Sequence, residues 1–149
     1  MTTEELRQRA LRLLAQRDHS RAELTRKLSS HGSPDEVAEV VARMVDLDLQ
    51  SDRRFAEQFV RSRGARFGSE RLRRELRQRG IDDGLGARAI AGALEADEFE
   101  RARRVWQARF GESASDRREW ARQARFLQYR GFSTDVIHRV LKGRFDESA

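Results

Sequence analysis

The sequence contains no cysteine, and its three histidines are widely separated. Without cysteine, neither a disulfide framework nor a thiolate zinc site can form. His19, His31 and His138 lack metal-ligand spacing, and no Gly-rich phosphate loop, nucleophile elbow or metalloprotease motif occurs. We therefore expect no metal, no cofactor and no enzymatic activity.

Proline and long apolar runs are also scarce. Pro34 is the one proline, and no uninterrupted apolar stretch approaches the ~20 residues that span a membrane. The stretch MTTEELRQRA lacks the apolar segment of a signal peptide, so we expect a cytoplasmic protein without membrane contact. Apolar and charged residues each make up 38% of the chain. Leu, Val, Ile and Phe recur at helical spacing, which indicates folded helices rather than disorder.

Three similar glycine-containing turns indicate an internal repeat of about 50 residues. Each turn consists of a basic residue followed by glycine, with a leucine four residues before the glycine. The three are Leu28 with His31-Gly32, Leu76 with Arg79-Gly80, and Leu127 with Arg130-Gly131. We predict an all-α protein of three tandem three-helix repeats in an elongated array, with boundaries at residues 1–51, 52–97 and 98–149. Stacked neighbours cover the apolar faces that such small units expose.

The helical periodicity predicts nine helices. They are Glu4–Ala15, Arg21–His31, Pro34–Leu47, Arg53–Arg66, Glu70–Arg79, Gly84–Ala96, Phe99–Phe110, Arg117–Arg130 and Thr134–Arg144. The stretch from Ser33 to Glu36 offers a capping box with proline at the first helical position. Ser20 and Asp116 begin similar boxes. The glycine of each repeated turn suits the left-handed residue that ends a helix.

Aromatic residues concentrate in the third unit. They are Phe99, Trp106, Phe110, Trp120, Phe126, Tyr129 and Phe132. Such rings can stack on nucleic-acid bases, but we favour a core role because these helices have few other large apolar residues. Gln123 stands where the first two units carry Leu24 and Leu72, which predicts a different packing in the third unit.

The net charge of +6 is unevenly distributed. Residues 1–52 carry a net charge of −2, whereas residues 53–97 and 98–149 carry +4 each. Between Val60 and Arg79, eight arginines stand against Glu70 and Glu75. The alternatives are a solvated helix face and an anion-binding face. We favour anion binding because two carboxylates cannot neutralise so many arginines. Phosphate and acidic protein both remain open as the anion.

Four segments of the chain resemble, in the same order, segments of the bacterial RecX family, regulators of the RecA recombinase. They are ALRLLAQRDHSRAELTRKL (Ala10–Leu28), DRRFAEQFVRSR (Asp52–Arg63), FGSERLRRELRQRGI (Phe67–Ile81) and ARFLQYRGFSTDVIHRVLK (Ala124–Lys142). The resemblance covers essentially the whole chain, and the family's tandem three-helix fold agrees with the repeat above. The sequence departs from the family at the turn after the third helix, where many relatives carry a glycine near Asp48.

The resemblance implies a non-enzymatic negative modulator of RecA. It implies binding in the groove of the RecA–DNA filament and inhibition of ATP hydrolysis, strand exchange and coprotease activity. Partners would be RecA and single- or double-stranded DNA within the filament, with this chain as a monomer. The acidic first unit is expected to contact protein rather than DNA. Candidate filament-binding residues are Arg61, Arg63, Arg66, Arg73, Arg74, Arg77, Arg122, Arg125, Arg130, Arg139 and Lys142.

Two alternative functions remain open at this point. An autonomous basic helical DNA-binding protein would lose affinity steeply with salt and would not require RecA. A repeat scaffold for unrelated protein partners would show neither property. Salt dependence and partner dependence therefore separate the three hypotheses.

Overall fold

The structure, a computed structural model, describes residues 1–94 and 96–142. This part of the chain forms nine α-helices and no strand, which confirms the all-α class and the tandem three-helix organisation. The helices are α1 (Thr3–Gln16), α2 (Arg21–Leu28), α3 (Pro34–Asp46), α4 (Asp52–Arg63), α5 (Ser69–Gln78), α6 (Asp83–Ala93), α7 (Glu98–Arg109), α8 (Arg117–Tyr129) and α9 (Thr134–Leu141). We call α1–α3 unit 1, α4–α6 unit 2 and α7–α9 unit 3.

Each unit has its own hydrophobic core. The helix pairs that pack closely lie within a unit, for example α1 with α3, α4 with α6 and α7 with α9. The leucines of the second helices lie at the centre of these cores: Leu24 and Leu28, Leu72 and Leu76, and Leu127 are at most 1% exposed. Burial of one such side chain contributes about 1.5–3 kcal/mol to stability. The leucine spacing therefore fixes which face of each second helix points inward.

Unit 3 packs differently from the other units, as its sequence predicts. Gln123 replaces the leucine of the second helix and is 2% exposed. Its Oε1 accepts a hydrogen bond from Trp106 Nε1 at 2.9 Å, and its Nε2 donates to the Glu112 carbonyl at 3.2 Å. A buried amide is tolerated here because both of its ends have partners.

The three helices predicted to start after Ser20, Ser33 and Asp116 do so, and two of the three predicted capping boxes form. Ser20 and Ser33 each form a reciprocal capping box with a glutamate three residues later. At α8 the box prediction is wrong, although Asp116 Oδ1 accepts the Glu119 N–H at 2.8 Å. The carboxylate of Glu119 instead binds Arg122 at 2.9 Å, so it does not reach back to close the box.

Two of the three repeated glycines adopt the predicted left-handed conformation. Gly80 has φ +83° and Gly131 has φ +94°, whereas Gly32 has no positive φ. The difference arises because α2 ends at Leu28, three residues before the predicted end. There the hydroxyl of Ser29 donates to the Arg26 carbonyl at 2.7 Å, a local bond that competes with helix continuation.

Helices α4 and α6 also end three residues earlier than predicted. After α4 the Arg66 N–H donates to the Arg63 carbonyl at 3.0 Å, three residues back, so the chain turns instead of continuing the helix. After α6, Leu94 adopts an extended conformation with φ −107° and ψ 130°. The predicted end of α9 at Arg144 lies outside the described residues.

Asp48 supplies the left-handed residue after α3, with φ 60°. The helix ends at Asp46, and the amides of Leu49 and Gln50 both donate to the Met44 carbonyl, at 2.9 and 3.2 Å. Aspartate therefore occupies the left-handed position of this turn, which is the conformation that favours glycine. An L-residue pays a conformational penalty there that glycine does not.

We expect Asp48→Gly to raise the free energy of unfolding by about 0.5–1 kcal/mol, because it removes the left-handed penalty. The side chain loses little, since its ion pair with Arg54 is long, at 3.5 Å, and exposed. Asp46→Gly, within α3, is the matched control and is expected to destabilise by about 0.5 kcal/mol. Urea unfolding of both variants measures the difference. A destabilised Asp48→Gly protein would contradict the assignment.

The second helices of the three units stack end to end. Ser20 Oγ at the start of α2 donates to the Arg79 carbonyl after α5 at 2.6 Å. The Gly68 N–H at the start of α5 donates to the Arg130 carbonyl after α8 at 2.8 Å. Each positive helix N-terminus thus meets the negative C-terminus of the next unit's helix, which is the favourable dipole alignment.

Side chains complete the junction between units 1 and 2. Gln50 Nε2 donates to the His19 carbonyl at 3.2 Å, and the Arg21 backbone N–H donates to Asp52 Oδ1 at 2.8 Å. His19 is 1% exposed, and this burial lowers the pKa of its imidazole. The ring has a structural role here, since its Nδ1 lies 3.0 Å from the Arg17 carbonyl.

Arg101 joins unit 3 to unit 2. This side chain is on α7 and is 5% exposed. Its Nε donates to the Gly64 carbonyl at 2.9 Å, and its Nη2 donates to the Phe67 carbonyl at 3.3 Å. The guanidinium therefore satisfies two backbone acceptors at the end of α4, in place of helical N–H groups.

We expect Arg101→Met to lower the free energy of unfolding by about 2–3 kcal/mol, because two carbonyls lose charged donors in a buried place. Arg103→Met on the same helix is the control. Arg103 is exposed and pairs with Glu100, so its loss is expected to cost less than about 1 kcal/mol. Urea titrations compare the two. Equal effects would show that Arg101 does not hold the junction.

Candidate functional site

Tyr129 stands between two open grooves on units 2 and 3. One groove, of about 590 Å³, is lined by Arg109, Phe110, Arg122, Arg125, Phe126, Gln128 and Tyr129. The other, of about 550 Å³, is lined by Arg71, Arg74, Glu75, Gln78, Arg79, Gln128 and Tyr129. We call these two sets together the Tyr129 surface. It brings the C-terminal half of α8 beside α5 and the end of α7.

The Tyr129 surface is strongly basic. Six arginines line it against a single carboxylate, Glu75. Glu75 is already occupied, since its Oε2 accepts from Arg71 Nε at 2.8 Å. Arg122 pairs with Glu119, which lies outside the two grooves. The other four arginines make no ion pair in the described part of the chain, and this excess of positive charge favours an anionic partner.

In the first groove, guanidinium groups lie over aromatic rings. The Arg109 Cζ atom is 5.8 Å from the centroid of Phe110 and 5.2 Å from that of Phe126. Arg122 lies 5.4 Å from the Phe110 centroid. The two rings meet edge to face at 5.4 Å. A guanidinium over a ring is held in place while its in-plane N–H donors can bind a ligand. The donors of Arg109 make no ion pair in the described part of the chain, whereas Arg122 binds Glu119 through Nε and Nη2.

Arg71 anchors the second groove at the unit 2–unit 3 junction. Its Cζ lies 3.9 Å from the Phe67 centroid and 5.5 Å from that of Tyr129, and its Nη1 donates to the Tyr129 carbonyl at 3.4 Å. Arg74, one turn of α5 away from the junction contacts, is exposed. This side of the surface therefore combines a fixed guanidinium with a free one.

The core interpretation of the aromatic residues is wrong for Tyr129. Its side chain is 74% exposed, whereas Phe132 is 1% exposed and lies in the unit 3 core. Tyr129 is the last residue of α8, and it follows the buried Leu127 by two positions. Two residues on a helix turn the side chain by about 200°, away from the core face.

Three of the predicted site residues meet on the Tyr129 surface: Arg74, Arg122 and Arg125. Arg73 and Arg77 are exposed elsewhere on α5, outside both grooves. Arg77 pairs with Asp83 at 3.2 Å, whereas Arg73, Arg74 and Arg125 make no ion pair within residues 1–94 and 96–142.

The three arginines near the end of α4 differ in their surroundings. Arg61 is exposed and has no ion pair in the described part of the chain. Arg63 is half-buried, with its Cζ 4.6 Å from the Phe59 centroid. Arg66 lies 5.2 Å from the Phe67 centroid, and its carbonyl accepts from Arg130. Arg63 is therefore a packing residue, and Arg61 is the accessible one.

The remaining candidates lie on unit 3. Arg130 bridges the unit 2–unit 3 junction, since its Nη1 donates to the Arg66 carbonyl at 3.2 Å and its Cζ lies 4.9 Å from the Phe126 centroid. Arg139 is exposed and lies 4.4 Å from the centroid of Phe99. Lys142, with φ 61°, caps α9. None of these three lines the grooves of the Tyr129 surface.

Neither a group of metal-binding side chains nor a membrane-spanning helix occurs among the described residues. No group of histidine and carboxylate side chains there is arranged to hold a metal ion. Among the described helices, none combines the length and apolar character needed to cross a bilayer.

Comparison with known protein families identifies all three units. The family descriptions "RecX, first three-helix domain", "RecX, second three-helix domain" and "RecX, third three-helix domain" match residues 7–44, 51–90 and 95–141. This chain belongs to the RecX family. The fold and the resemblance inferred from the sequence are thereby confirmed.

Curated relatives share nearly the whole length of the chain. The proteins named Regulatory protein RecX from Chromobacterium violaceum and Leptothrix cholodnii are 43% and 45% identical to it, over 95% and 92% of this chain and 92% and 87% of their own. RecX from Pseudomonas putida is 46% identical, with 93% and 90% coverage. These relatives are named as regulators and not as enzymes.

The RecX crystal structure from Lactobacillus salivarius has the same fold. It aligns with a TM-score of 0.81 at 24% identity, over 95% of each chain. A second RecX crystal structure aligns with a TM-score of 0.80 at 20% identity, over 95% of this chain and 73% of its own. The three-unit arrangement is therefore shared by relatives whose sequences have diverged widely.

Proposed function

We propose that this protein is a negative modulator of the RecA recombinase that binds in the groove of the RecA–DNA filament. It inhibits ATP hydrolysis, strand exchange and the coprotease activity that serves the SOS response, and so acts in homologous recombination and DNA repair. It works without enzymatic activity, as a cytoplasmic monomer. The observation that carries the proposal is the match to RecX regulatory proteins along nearly the full chain.

The charge distribution supports the proposal. Units 2 and 3 carry the positive charge, and the Tyr129 surface gathers six arginines around one carboxylate. A filament groove has walls of protein and DNA, so an array with a basic part and an acidic first unit can contact both. The binding free energies of modest contacts on three linked units add up, so tight binding does not require a deep pocket.

The surroundings of the candidate residues assign them different roles in filament binding. The exposed arginines with neither an ion pair nor a ring contact in the described segments supply direct contacts: Arg61, Arg73, Arg74 and Arg125. Arg77 and Arg122 can exchange their carboxylate partners for filament groups. Arg63 and Arg130 act through packing, since each is half-buried with its guanidinium over an aromatic ring. Arg66, Arg139 and Lys142 contribute exposed positive charge.

Co-sedimentation with preassembled filaments tests the proposal. RecA is assembled on single-stranded DNA with a slowly hydrolysed ATP analogue, and this protein is added at near-physiological salt. We expect more of this protein to pellet with the RecA–DNA filaments than the sum of the amounts that pellet with RecA alone and with DNA alone. Binding that is the same on naked DNA as on filaments would contradict filament recognition and support an autonomous DNA-binding protein.

A further inference from the structure

We propose that the Tyr129 surface binds single-stranded DNA, with an unpaired base stacked on the Tyr129 ring and the flanking phosphates on arginines of the two grooves. Within the filament, the Tyr129 surface would therefore contact the DNA strand rather than RecA. This assignment rests on the proposed function for its setting, because the filament is where this chain meets single-stranded DNA.

The Tyr129 ring lies in an accessible position between the two grooves. Tyr129 is 74% exposed and separates two grooves that each include Gln128 beside it. Arg71 Cζ lies 5.5 Å from the ring centroid, and its Nη1 holds the Tyr129 carbonyl. The backbone beneath the ring is therefore fixed at the junction of two units, while most of the ring is accessible to a base.

Aromatic and cationic side chains lie side by side in the first groove. Arg109 and Arg122 lie over Phe110 and Phe126, next to the exposed ring of Tyr129. Non-specific single-strand binding combines a basic groove for the backbone with aromatic faces for the bases. The guanidinium groups are already ordered on the rings, so binding costs little further side-chain entropy.

The charge balance favours nucleic acid over apolar ligands. The free arginines Arg74 and Arg125 lie on opposite sides of Tyr129, one in each groove. A strand that crosses the ring from one groove to the other meets a cation before and after the stacked base. An acidic peptide would satisfy the arginines but would leave the ring without a stacking partner, and a duplex presents no unpaired base to it.

The test is fluorescence anisotropy of a labelled oligo-dT with this protein alone, over a series of salt concentrations. We expect Tyr129→Ala to weaken binding roughly 5- to 100-fold, which corresponds to one lost stacking contact of about 1–3 kcal/mol. Tyr129→Phe is expected to bind like the parent protein. A hairpin duplex is measured in parallel and is expected to be insensitive to Tyr129→Ala.

The salt dependence separates stacking from charge. For single strands the slope of log K against log salt falls by about 0.7 per phosphate contact. Because each phosphate contact makes this slope more negative, Tyr129→Ala is expected to leave the slope unchanged, whereas Arg125→Ala is expected to reduce its magnitude by about 0.7. Arg43→Ala, an exposed arginine without an ion pair in the described part of unit 1, is the control and should change neither quantity.

The outcomes distinguish this inference from the proposed function. If Tyr129→Ala binds oligo-dT as tightly as the parent, or loses single strand and duplex equally, base stacking is overturned even when RecA inhibition persists. If the affinity depends on Tyr129 as described but the parent protein does not inhibit RecA, the stacking inference stands and the proposed function fails. Circular dichroism checks that each variant is folded.

Discussion

Gly131→Ala is expected to lower the free energy of unfolding by about 3 kcal/mol. The residue has φ +94°, where a side chain costs about 1 kcal/mol. A Cβ at this position would also overlap the side chain of Arg71 and lie 2.8 Å from its backbone nitrogen. Forced repacking of this kind costs about 1–3 kcal/mol. The variant therefore separates the ends of α5 and α8, where units 2 and 3 meet.

Two other glycines serve as controls in the same urea unfolding experiment. Gly111 has φ +75°, but the nearest atom to an added Cβ is 3.5 Å away, so Gly111→Ala is expected to cost about 1 kcal/mol. Gly92 lies within α6 with nothing near it, so Gly92→Ala is expected to stabilise by up to about 1 kcal/mol. If Gly131→Ala costs no more than Gly111→Ala, the close stacking of α5 on α8 is wrong.

Charge reversal of Arg73, Arg74 and Arg77 together is expected to weaken binding to RecA–DNA filaments roughly 100-fold, the sum of three contacts of about 1 kcal/mol each. All three residues are exposed on α5. The fold loses only the exposed pair of Arg77 with Asp83, so helicity and stability should hardly change. Filament co-sedimentation measures the affinity, and circular dichroism measures the helicity.

A matched triple variant in unit 1 controls for the change in net charge. Arg12, Arg26 and Arg43 are exposed and make no ion pair in the described part of the chain. Their reversal to glutamate changes the net charge by the same amount, on the acidic unit that we expect to contact protein. It should weaken binding by less than tenfold. Full inhibition by a folded α5 triple variant would show that these arginines do not bind the filament.

Most of the fold could be predicted because local signals and burial agree. The leucines at 24, 28, 72, 76 and 127 repeat at helical spacing, and each is buried in the core of its own unit. Serine caps and a proline mark helix starts without tertiary help. The errors lie at helix ends, where short local bonds such as that of Ser29 to the Arg26 carbonyl replace the helical pattern. The contacts between units are not visible in the sequence either: the bond from Arg101 to the Gly64 carbonyl joins residues 37 positions apart, and no local pattern reveals it.

The site was harder to predict because exposure of an arginine depends on its neighbours. Arg63 and Arg130 look like free cations in the sequence, yet each lies over a ring in the folded chain. Arg109 and Tyr129 were missed although both belong to the Tyr129 surface. A helical projection of α8 contained the signal for Tyr129, since it lies about 200° from Leu127. The grooves themselves depend on how units 2 and 3 stack.

The measurement that tests the central claim most directly is RecA's single-stranded-DNA-dependent ATP hydrolysis, titrated with this protein at near-physiological salt. The cognate RecA is used, and folding of the added protein is verified beforehand. We predict strong inhibition well below one molecule per RecA, because one bound molecule acts on a filament rather than on a single protomer. No inhibition, or inhibition only where the protein saturates the DNA, would contradict regulation of the RecA filament.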